Sequence, residues 1–288
     1  MKDDRTPGGL PPRHIGDFPV EMPIGFGAMH LSTEGRPSQA ESFVVLDAAY
    51  ASGIRVFDTA DAYCLNGSET GHNERLLGAW LRSRASTDVL VSTKGGHVRD
   101  RAGAWLVDGR PEHILRACTA SLDNLGTPVL DLYHLHRPDP AVPFSESVGA
   151  LARLLEEGKI ARAAISNVTV QQIREATAIL PLAAVQNRLS ADFQSSLPEV
   201  ALCADLDIAF IGWGPLQGLD VARAPQFVET AKQKGVTPQV LALAWQLRLA
   251  PVTVPIPGSR RAANVCAWPA ALQLNLSPAE MEALAQQA

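Results

Sequence analysis

The chain has 288 residues, of which 46% are hydrophobic and 19% are charged, and its formal net charge is −5. This balance is typical of a soluble globular protein, and it offers no basic surface of the kind that binds nucleic acids. No apolar run approaches the roughly 20 residues that span a membrane. The length suits one large core or two small domains, and since no linker divides the chain we expect one. We expect neither nucleic-acid nor membrane partners.

The N-terminal residues are rich in proline, glycine and charge and contain no apolar run of the signal-peptide type. We expect a flexible tail over 1–14, a single domain over 15–288 and a cytoplasmic location. The four cysteines are far apart and form no C-x-x-C pair, so we expect reduced thiols. They are Cys64, Cys118, Cys203 and Cys266.

Short apolar runs alternate with longer amphipathic ones along the chain. The predicted strands are PIGFGAM, RVFDTA, DVLVSTK, VLDLYHLH, IARAAIS, AAVQNRL, IAFIGWGPL and VTVPIPG. Eight strands with helices between them favour a (β/α)₈ barrel, that is, a TIM barrel. A doubly wound sheet is the rival fold, but its first strand would usually lead into G-x-G-x-x-G, and here only GFGAMH follows.

Several helix ends can be read directly from the sequence. Ser38 and Glu41 have the spacing of a capping box, and Pro111 and Pro238 suit first helical positions. Before the first barrel strand, RHIGDFPVEMPIG is expected to form a small hairpin around Gly16-Asp17. Such a hairpin could close the bottom of the barrel.

Polar residues stand at the carboxyl ends of three predicted strands. Asp58 ends the second strand, Lys94 the third and His136 the fourth. Tyr63 follows Asp58 by five residues. These strand ends meet at one mouth of a barrel, where the active site is built. A nearby ammonium lowers the pKa of a tyrosine, so the pattern predicts a tuned proton donor beside a carbonyl, with hydride from a cofactor.

Seven segments resemble, in order, the motifs of the aldo-keto reductase superfamily. They are FDTADAY, STKGG, DLYHLHRPD, AISN, QNRLS, GWGPLQG and VPIPGSR. The resemblance covers about Ile15 to Leu284. It implies an NADPH-dependent reductase of aldehydes or ketones in which Tyr63 is the general acid, tuned by Asp58 and Lys94. His136 would then orient the substrate carbonyl.

The resemblance also implies a cofactor site across the barrel mouth. The residues carried over are Gly27, Ala28, Met29, Asp58, Ser166, Asn167, Gln186, Trp213, Gly214, Leu216, Gly218, Ile256, Gly258, Ser259 and Arg260. Ser166, Asn167 and Gln186 would hold the nicotinamide carboxamide, and Trp213 would stack on the ring. Ser259 and Arg260 would contact the 2′-phosphate of NADPH. Many members carry lysine at the place of Gly258, so NADH stays an alternative donor.

The expected substrate is a small carbonyl compound, and the expected pocket combines Met29, Tyr63, Trp105 and His136. The loops 64–72 and 95–110 would shape this pocket. The sequence leaves open whether the protein is a monomer or a small homo-oligomer.

Three alternatives to the reductase stay open. His134 and His136 form H-x-H on one strand, a spacing that can hold a metal in a hydrolase. Lys94 at a strand end would suit a Schiff-base lyase. Some relatives of the family are cofactor-sensing subunits of ion channels. The metal hypothesis leaves the tyrosine–lysine pair unused, so the prediction is a site without metal.

Overall fold

The computed structural model describes residues 9–84 and 88–285. The strands in these residues are β1 (Arg13–Ile15), β2 (Phe18–Val20), β3 (Phe26–Gly27), β4 (Val56–Asp58), β5 (Leu90–Gly95), β6 (His97–Arg99), β7 (Trp105–Val107), β8 (Leu132–Leu135), β9 (Ala163–Ser166), β10 (Leu182–Arg188), β11 (Ala209–Trp213) and β12 (Thr253–Ile256). The helices are α1 (Gln39–Ala51), α2 (His72–Arg82), α3 (Pro111–Leu125), α4 (Phe144–Glu156), α5 (Val170–Thr177), α6 (Leu197–Asp205), α7 (Pro225–Gln233), α8 (Pro238–Leu249), α9 (Ala262–Ala267), α10 (Ala270–Gln273) and α11 (Pro278–Ala285).

Eight strands form one parallel sheet in the order β3-β4-β5-β8-β9-β10-β11-β12. Two backbone hydrogen bonds join its first and last strands, from Gly25 N to Pro255 O and from Gly27 N to Pro257 O, each 2.9 Å long. The predicted (β/α)₈ barrel is confirmed, and each of the eight predicted strands overlaps one of its strands.

Two apolar layers hold the barrel together. The inner layer fills the barrel with residues such as Val56, Leu132 and Ile211. The outer layer lies between the sheet and the helices and includes the buried Trp80 and Trp245. Burial on both faces explains why the barrel strands read as short continuous apolar runs.

The N-terminal hairpin is confirmed. Strands β1 and β2 pair antiparallel, and Gly16 takes a φ of 59° in the turn between them. Ile15 and Val20 are buried in the inner layer of the barrel, and Arg13 Nε donates to Thr253 O at the start of β12 over 2.8 Å. The hairpin therefore covers the end of the barrel opposite the carboxyl ends of the strands.

In the second half of the expected flexible tail of residues 1–14, some residues are buried or paired in β1. Residues 1–8 lie outside the described residues. Leu10 is buried, and Arg13 and His14 already belong to β1. The packed domain thus begins before Ile15, because the hairpin needs the residues just ahead of its turn.

The helix signals hold at several ends. Ser38 and Glu41 form the capping box of α1, and Pro111 and Pro238 open α3 and α8. Within the described residues, no helix is both long and apolar enough to cross a membrane. All four cysteines are free.

The segment 95–110 is more ordered than a loop. Its two strands, β6 and β7, form a hairpin beside the barrel mouth, and Asp108 N donates to Gly96 O at its base over 2.9 Å. Trp105 and Leu106 on β7 remain 44% and 50% exposed. The sequence pattern misses this hairpin because its strands are three residues long and bury little apolar surface.

Candidate active site

The site lies at the carboxyl ends of the barrel strands. Asp58 ends β4, Lys94 is the next-to-last residue of β5, and His136 follows β8 directly. Ser166 ends β9 and lies in register with Gln186 of β10. The parallel arrangement thus brings residues that are far apart in sequence to one mouth.

A buried ion pair forms the base of the site. Lys94 Nζ lies 2.6 Å from Asp58 Oδ1 and donates to Thr59 O over 2.7 Å. The other carboxylate oxygen, Asp58 Oδ2, accepts from Ser92 Oγ and Gln186 Nε2, each over 2.8 Å. Because every charged atom has a partner, the pair can be kept in a site removed from water.

Tyr63 lies above this pair, in the loop after β4. Its ring centroid is 5.0 Å from Lys94 Nζ and 5.7 Å from the ring centroid of His136, which meets it edge-on. Tyr63 is only 9% exposed and His136 only 6%. The phenol, the ammonium and the imidazole therefore converge as the sequence pattern predicts.

The direction of one pKa shift differs from that prediction. Burial, followed by the charges of Asp58 and Asp61, raises the pKa of Tyr63 well above its ordinary value. Burial also lowers the pKa of Lys94, although Asp58 opposes this shift. The expected lowering of the tyrosine pKa is thus reversed, because desolvation and two carboxylates act on the phenol. Tyr63 is held protonated, which is the form that donates.

Burial lowers the pKa of His136 well below its ordinary value, with a further contribution from Lys94. The imidazole is therefore neutral near pH 7 and keeps one N–H donor. Its backbone is fixed on both sides, since His136 N donates to Gly95 O and Asn167 Nδ2 donates to His136 O.

A second polar cluster lies beside β9, β10 and β11. Asn167 has a φ of 59°, a left-handed conformation that asparagine tolerates. Its Nδ2 donates to Ser166 Oγ over 3.0 Å, and its Oδ1 accepts from Trp213 Nε1 over 3.2 Å. Ser166 Oγ donates to Gln186 O over 2.7 Å. This network fixes the amide groups and the indole relative to one another.

A cavity of about 440 Å³ opens above these groups. The predicted site residues that line it are Gly27, Met29, Asp58, Tyr63, Trp105, His136, Ser166, Asn167, Gln186, Trp213, Gly214, Leu216, Ile256 and Gly258. Predicted residues that do not line it are Ala28, Lys94, Gly218, Ser259 and Arg260. Ser259 and Arg260 lie next to lining residue Gly258, at the rim.

The predicted phosphate contacts have partners within the protein. Asn264 Nδ2 and Arg261 N donate to Ser259 Oγ. Arg260 Nε donates to His30 O over 3.1 Å, and the same guanidinium donates to the carbonyl of Glu34. Arg260 therefore links the loop after β12 to the loop after β3.

Sequence reasoning missed six residues that line the cavity. They are His30, His97, Arg137, Pro215, Gln217 and Pro257. Arg137 and His97 each follow a barrel strand by two residues, so the rule that identified His136 could have identified them too. Of the other four, His30 lies in a short 3-10 turn, and Pro215, Gln217 and Pro257 lie in loops whose course no periodic pattern fixes.

Two of the three alternatives, the metal-dependent hydrolase and the Schiff-base lyase, gain no support from this geometry. Among residues 9–84 and 88–285, no group of three metal-binding side chains comes together. His134 lies below the site, with Nε2 2.9 Å from Ser92 Oγ. Lys94 is fully buried, does not line the cavity and is paired with Asp58, so it is poorly placed as a Schiff-base nucleophile.

Comparison with known proteins agrees with the fold and the motifs. A family model described as Aldo/keto reductase family matches residues 23–288. The chain is 30% identical to the probable aldo-keto reductase 1 of Glycine max, across 96% of this chain and 88% of that protein.

Two solved structures are similar in fold. The glycerol dehydrogenase of Gluconobacter oxydans has a TM-score of 0.81 at 23% identity, over 99% of this chain and 94% of that one. An aldo-keto reductase of Klebsiella pneumoniae in complex with NADPH has a TM-score of 0.76 at 24% identity, over 96% and 94%.

Proposed function

Because the chain belongs to the aldo/keto reductase family, we propose that it reduces an aldehyde or ketone to an alcohol with NADPH as the hydride donor. The observation that carries this proposal is the convergence of four groups at one barrel mouth. Tyr63 lies against His136 and above the buried pair of Lys94 and Asp58. The Klebsiella relative named above supports the choice of NADPH.

Two glycines line the edge of the cavity where β3 meets the loop after β12. A Cβ on Gly27 would lie 2.9 Å from Ile256 O, and one on Gly258 would lie 2.6 Å from Gly27 O. Because the facing backbone lies this close, neither position can carry a side chain, and the backbone at this edge stays open to a ligand in the cavity.

Two loops at the rim of the cavity add hydrogen-bond donors for a dinucleotide. In the described part of the chain, the backbone N–H groups of Leu216, Gly218, Ser259 and Arg260 have no acceptor. Loops with free N–H groups are where phosphate oxygens bind. We assign the nicotinamide end to Ser166, Asn167, Gln186 and Trp213, and the phosphate end to these two loops.

Bound NADPH would supply the hydride that no side chain can supply. Tyr63 donates its proton to the carbonyl oxygen as negative charge develops there. A raised pKa suits this step, because the phenol stays protonated at neutral pH while an alkoxide is a far stronger base. Lys94, 5.0 Å from the ring, stabilises the phenolate that remains, and Asp58 holds the ammonium in place.

His136 orients the substrate. As a neutral imidazole it offers one N–H to the carbonyl oxygen without introducing a second full charge beside Lys94. Its fixed backbone and the edge-on contact with Tyr63 place both donors on the same side of the cavity. The same groups serve the reverse reaction, with Tyr63 accepting the alcohol proton.

Tryptophan fluorescence tests the binding part of the proposal. Trp105 and Trp213 line the cavity, whereas Trp80, Trp245 and Trp268 are buried elsewhere. NADPH at micromolar concentration should quench the emission, and Trp213→Phe should remove more of the quenching than Trp105→Phe. Absence of quenching, together with absence of NADPH consumption in the presence of aldehydes, would contradict the proposal.

A further inference from the structure

The part of the cavity wall around Tyr63 and His136 has an unusual charge balance. It is lined by Met29, Tyr63, His97, Trp105, His136 and Arg137. Asp58 is the one carboxylate that lines any part of the cavity, and Lys94 already pairs with it. The guanidinium of Arg137 is therefore a positive charge with no carboxylate beside it in the cavity wall.

Arg137 has a single hydrogen-bond partner among the described residues. Its Nε donates to His97 Nε2 over 3.1 Å. No carboxylate of residues 9–84 or 88–285 forms an ion pair with it. Burial, with help from Arg137 and Lys94, lowers the pKa of His97 to about 4, so this partner is neutral. The remaining N–H groups of the guanidinium stay available at the exposed mouth.

Arg137 is also close to the reacting centre. The rings of His97 and His136 lie 4.3 Å apart between centroids, so one imidazole separates the guanidinium from the residue that orients the carbonyl. Trp105 adds a flat apolar surface beside them, held by the guanidinium of Arg99 at 4.2 Å and by the ring of His97 at 5.5 Å. A compact molecule could contact Tyr63 and Arg137 together.

We infer that the substrate carries a carboxylate, which Arg137 binds while the carbonyl contacts Tyr63 and His136. An arginine fork matches the planar geometry of a carboxylate. A single arginine also matches its single charge, whereas a phosphate monoester carries about two. The flat surface of Trp105 favours a carboxylate attached to an apolar or aromatic body. This inference rests on the proposed reductase function.

The test compares two aldehydes of nearly equal size and shape with NADPH as donor. One is 4-carboxybenzaldehyde, and the other is 4-formylbenzamide, in which a neutral amide replaces the carboxylate. We expect kcat/KM for the acid to exceed that for the amide about tenfold or more. A charged hydrogen bond between Arg137 and the carboxylate accounts for a difference of this size. The preference should weaken with added salt, because the guanidinium is at the exposed mouth.

Arg137→Gln should reduce this ratio to near one, and Arg137→Lys should keep part of it. The matched control is Arg101→Gln, which removes a positive charge from the same side of the barrel but from a residue that does not line the cavity. The control should keep the wild-type ratio.

Equal kcat/KM values for the two aldehydes, or a ratio unchanged by Arg137→Gln, would overturn the carboxylate site and leave the reductase function intact. Reduction of neither aldehyde, nor of simpler ones, would instead count against the reductase function and this inference with it.

Discussion

Lys94 Nζ lies 2.6 Å from Asp58 Oδ1, and the two side chains are 0% and 2% exposed. An ion pair removed from water is stable only when both charges keep their partners. Removing either member of the pair should therefore lower both the stability of the barrel and the catalytic activity at its mouth.

Lys94→Met should therefore destabilise the fold as well as stop reduction. It leaves Asp58 as a buried carboxylate that has lost its countercharge, at a cost of about 3 kcal/mol in the free energy of unfolding. Urea denaturation of the wild type and the variant measures this cost. The double variant Asp58→Asn with Lys94→Met should recover part of the stability but little of the activity. A single variant as stable as the wild type would argue against the buried pair.

Tyr63→Phe should bind NADPH as the wild type does and lose most reduction. Loss of a positioned general acid lowers kcat by about 10²–10⁴-fold. Tyr50→Phe is the matched control, since it removes a hydroxyl that donates to Asp88 on the surface over 2.8 Å. Steady-state kcat is measured for both variants, and we expect a large loss for Tyr63→Phe and almost none for Tyr50→Phe. Near-wild-type turnover of Tyr63→Phe would exclude Tyr63 as the proton donor.

Much of this arrangement is predictable from the sequence. Asp58 and Lys94 follow apolar runs at the place where parallel strands end, and one topological rule brings such ends together. The barrel follows from the alternation of apolar strands and amphipathic helices, and the N-terminal hairpin follows from the turn at Gly16-Asp17. The direction of the Tyr63 pKa shift is not predictable in this way, because it depends on how fully the phenol is buried and on how the charges of Asp58 and Asp61 act on it in the fold.

The contacts made by the loops are also not predictable from the sequence pattern. Trp105 lies on a hairpin whose three-residue strands give no periodic signal, although its place beside the cavity agrees with the sequence-based expectation. Arg260 has carbonyl partners that come from residues more than 220 positions away in the chain. Contacts of this kind depend on how two loops meet after the barrel has formed.

Arg260→Ala should weaken the binding of NADPH more than that of NADH. If the guanidinium turns its remaining N–H groups to the 2′-phosphate, its loss raises the Kd of NADPH about tenfold and that of NADH much less. Fluorescence titration with both cofactors measures the difference. An equal loss for both would mean that Arg260 acts only by joining the loops at His30 and Glu34.

His97 should make the protein less stable in mild acid. Its pKa is lowered to about 4 by burial, whereas an unfolded histidine has a pKa of about 6.5. Between these values the unfolded chain binds a proton that the folded chain does not, so the free energy of unfolding falls as the pH falls.

His97→Asn should reduce this fall by about 1 kcal/mol at pH 5. The effect is limited because the ring is partly exposed and water screens its charge. Urea denaturation between about pH 7 and pH 5 checks it, with His14→Asn as the control, since the His14 side chain is 48% exposed. Parallel curves for the wild type and His97→Asn would contradict the shift.

The most direct test of the central claim follows the hydride itself. The purified protein is given NADPH with deuterium at C4 of the nicotinamide, on one face or the other, and 4-nitrobenzaldehyde, whose electron-poor carbonyl accepts hydride readily. We expect one of the two labelled cofactors to deliver its deuterium to the carbinol carbon of the alcohol, and Tyr63→Phe to deliver almost none. Unchanged cofactor, or a carbinol hydrogen drawn from water, would contradict it.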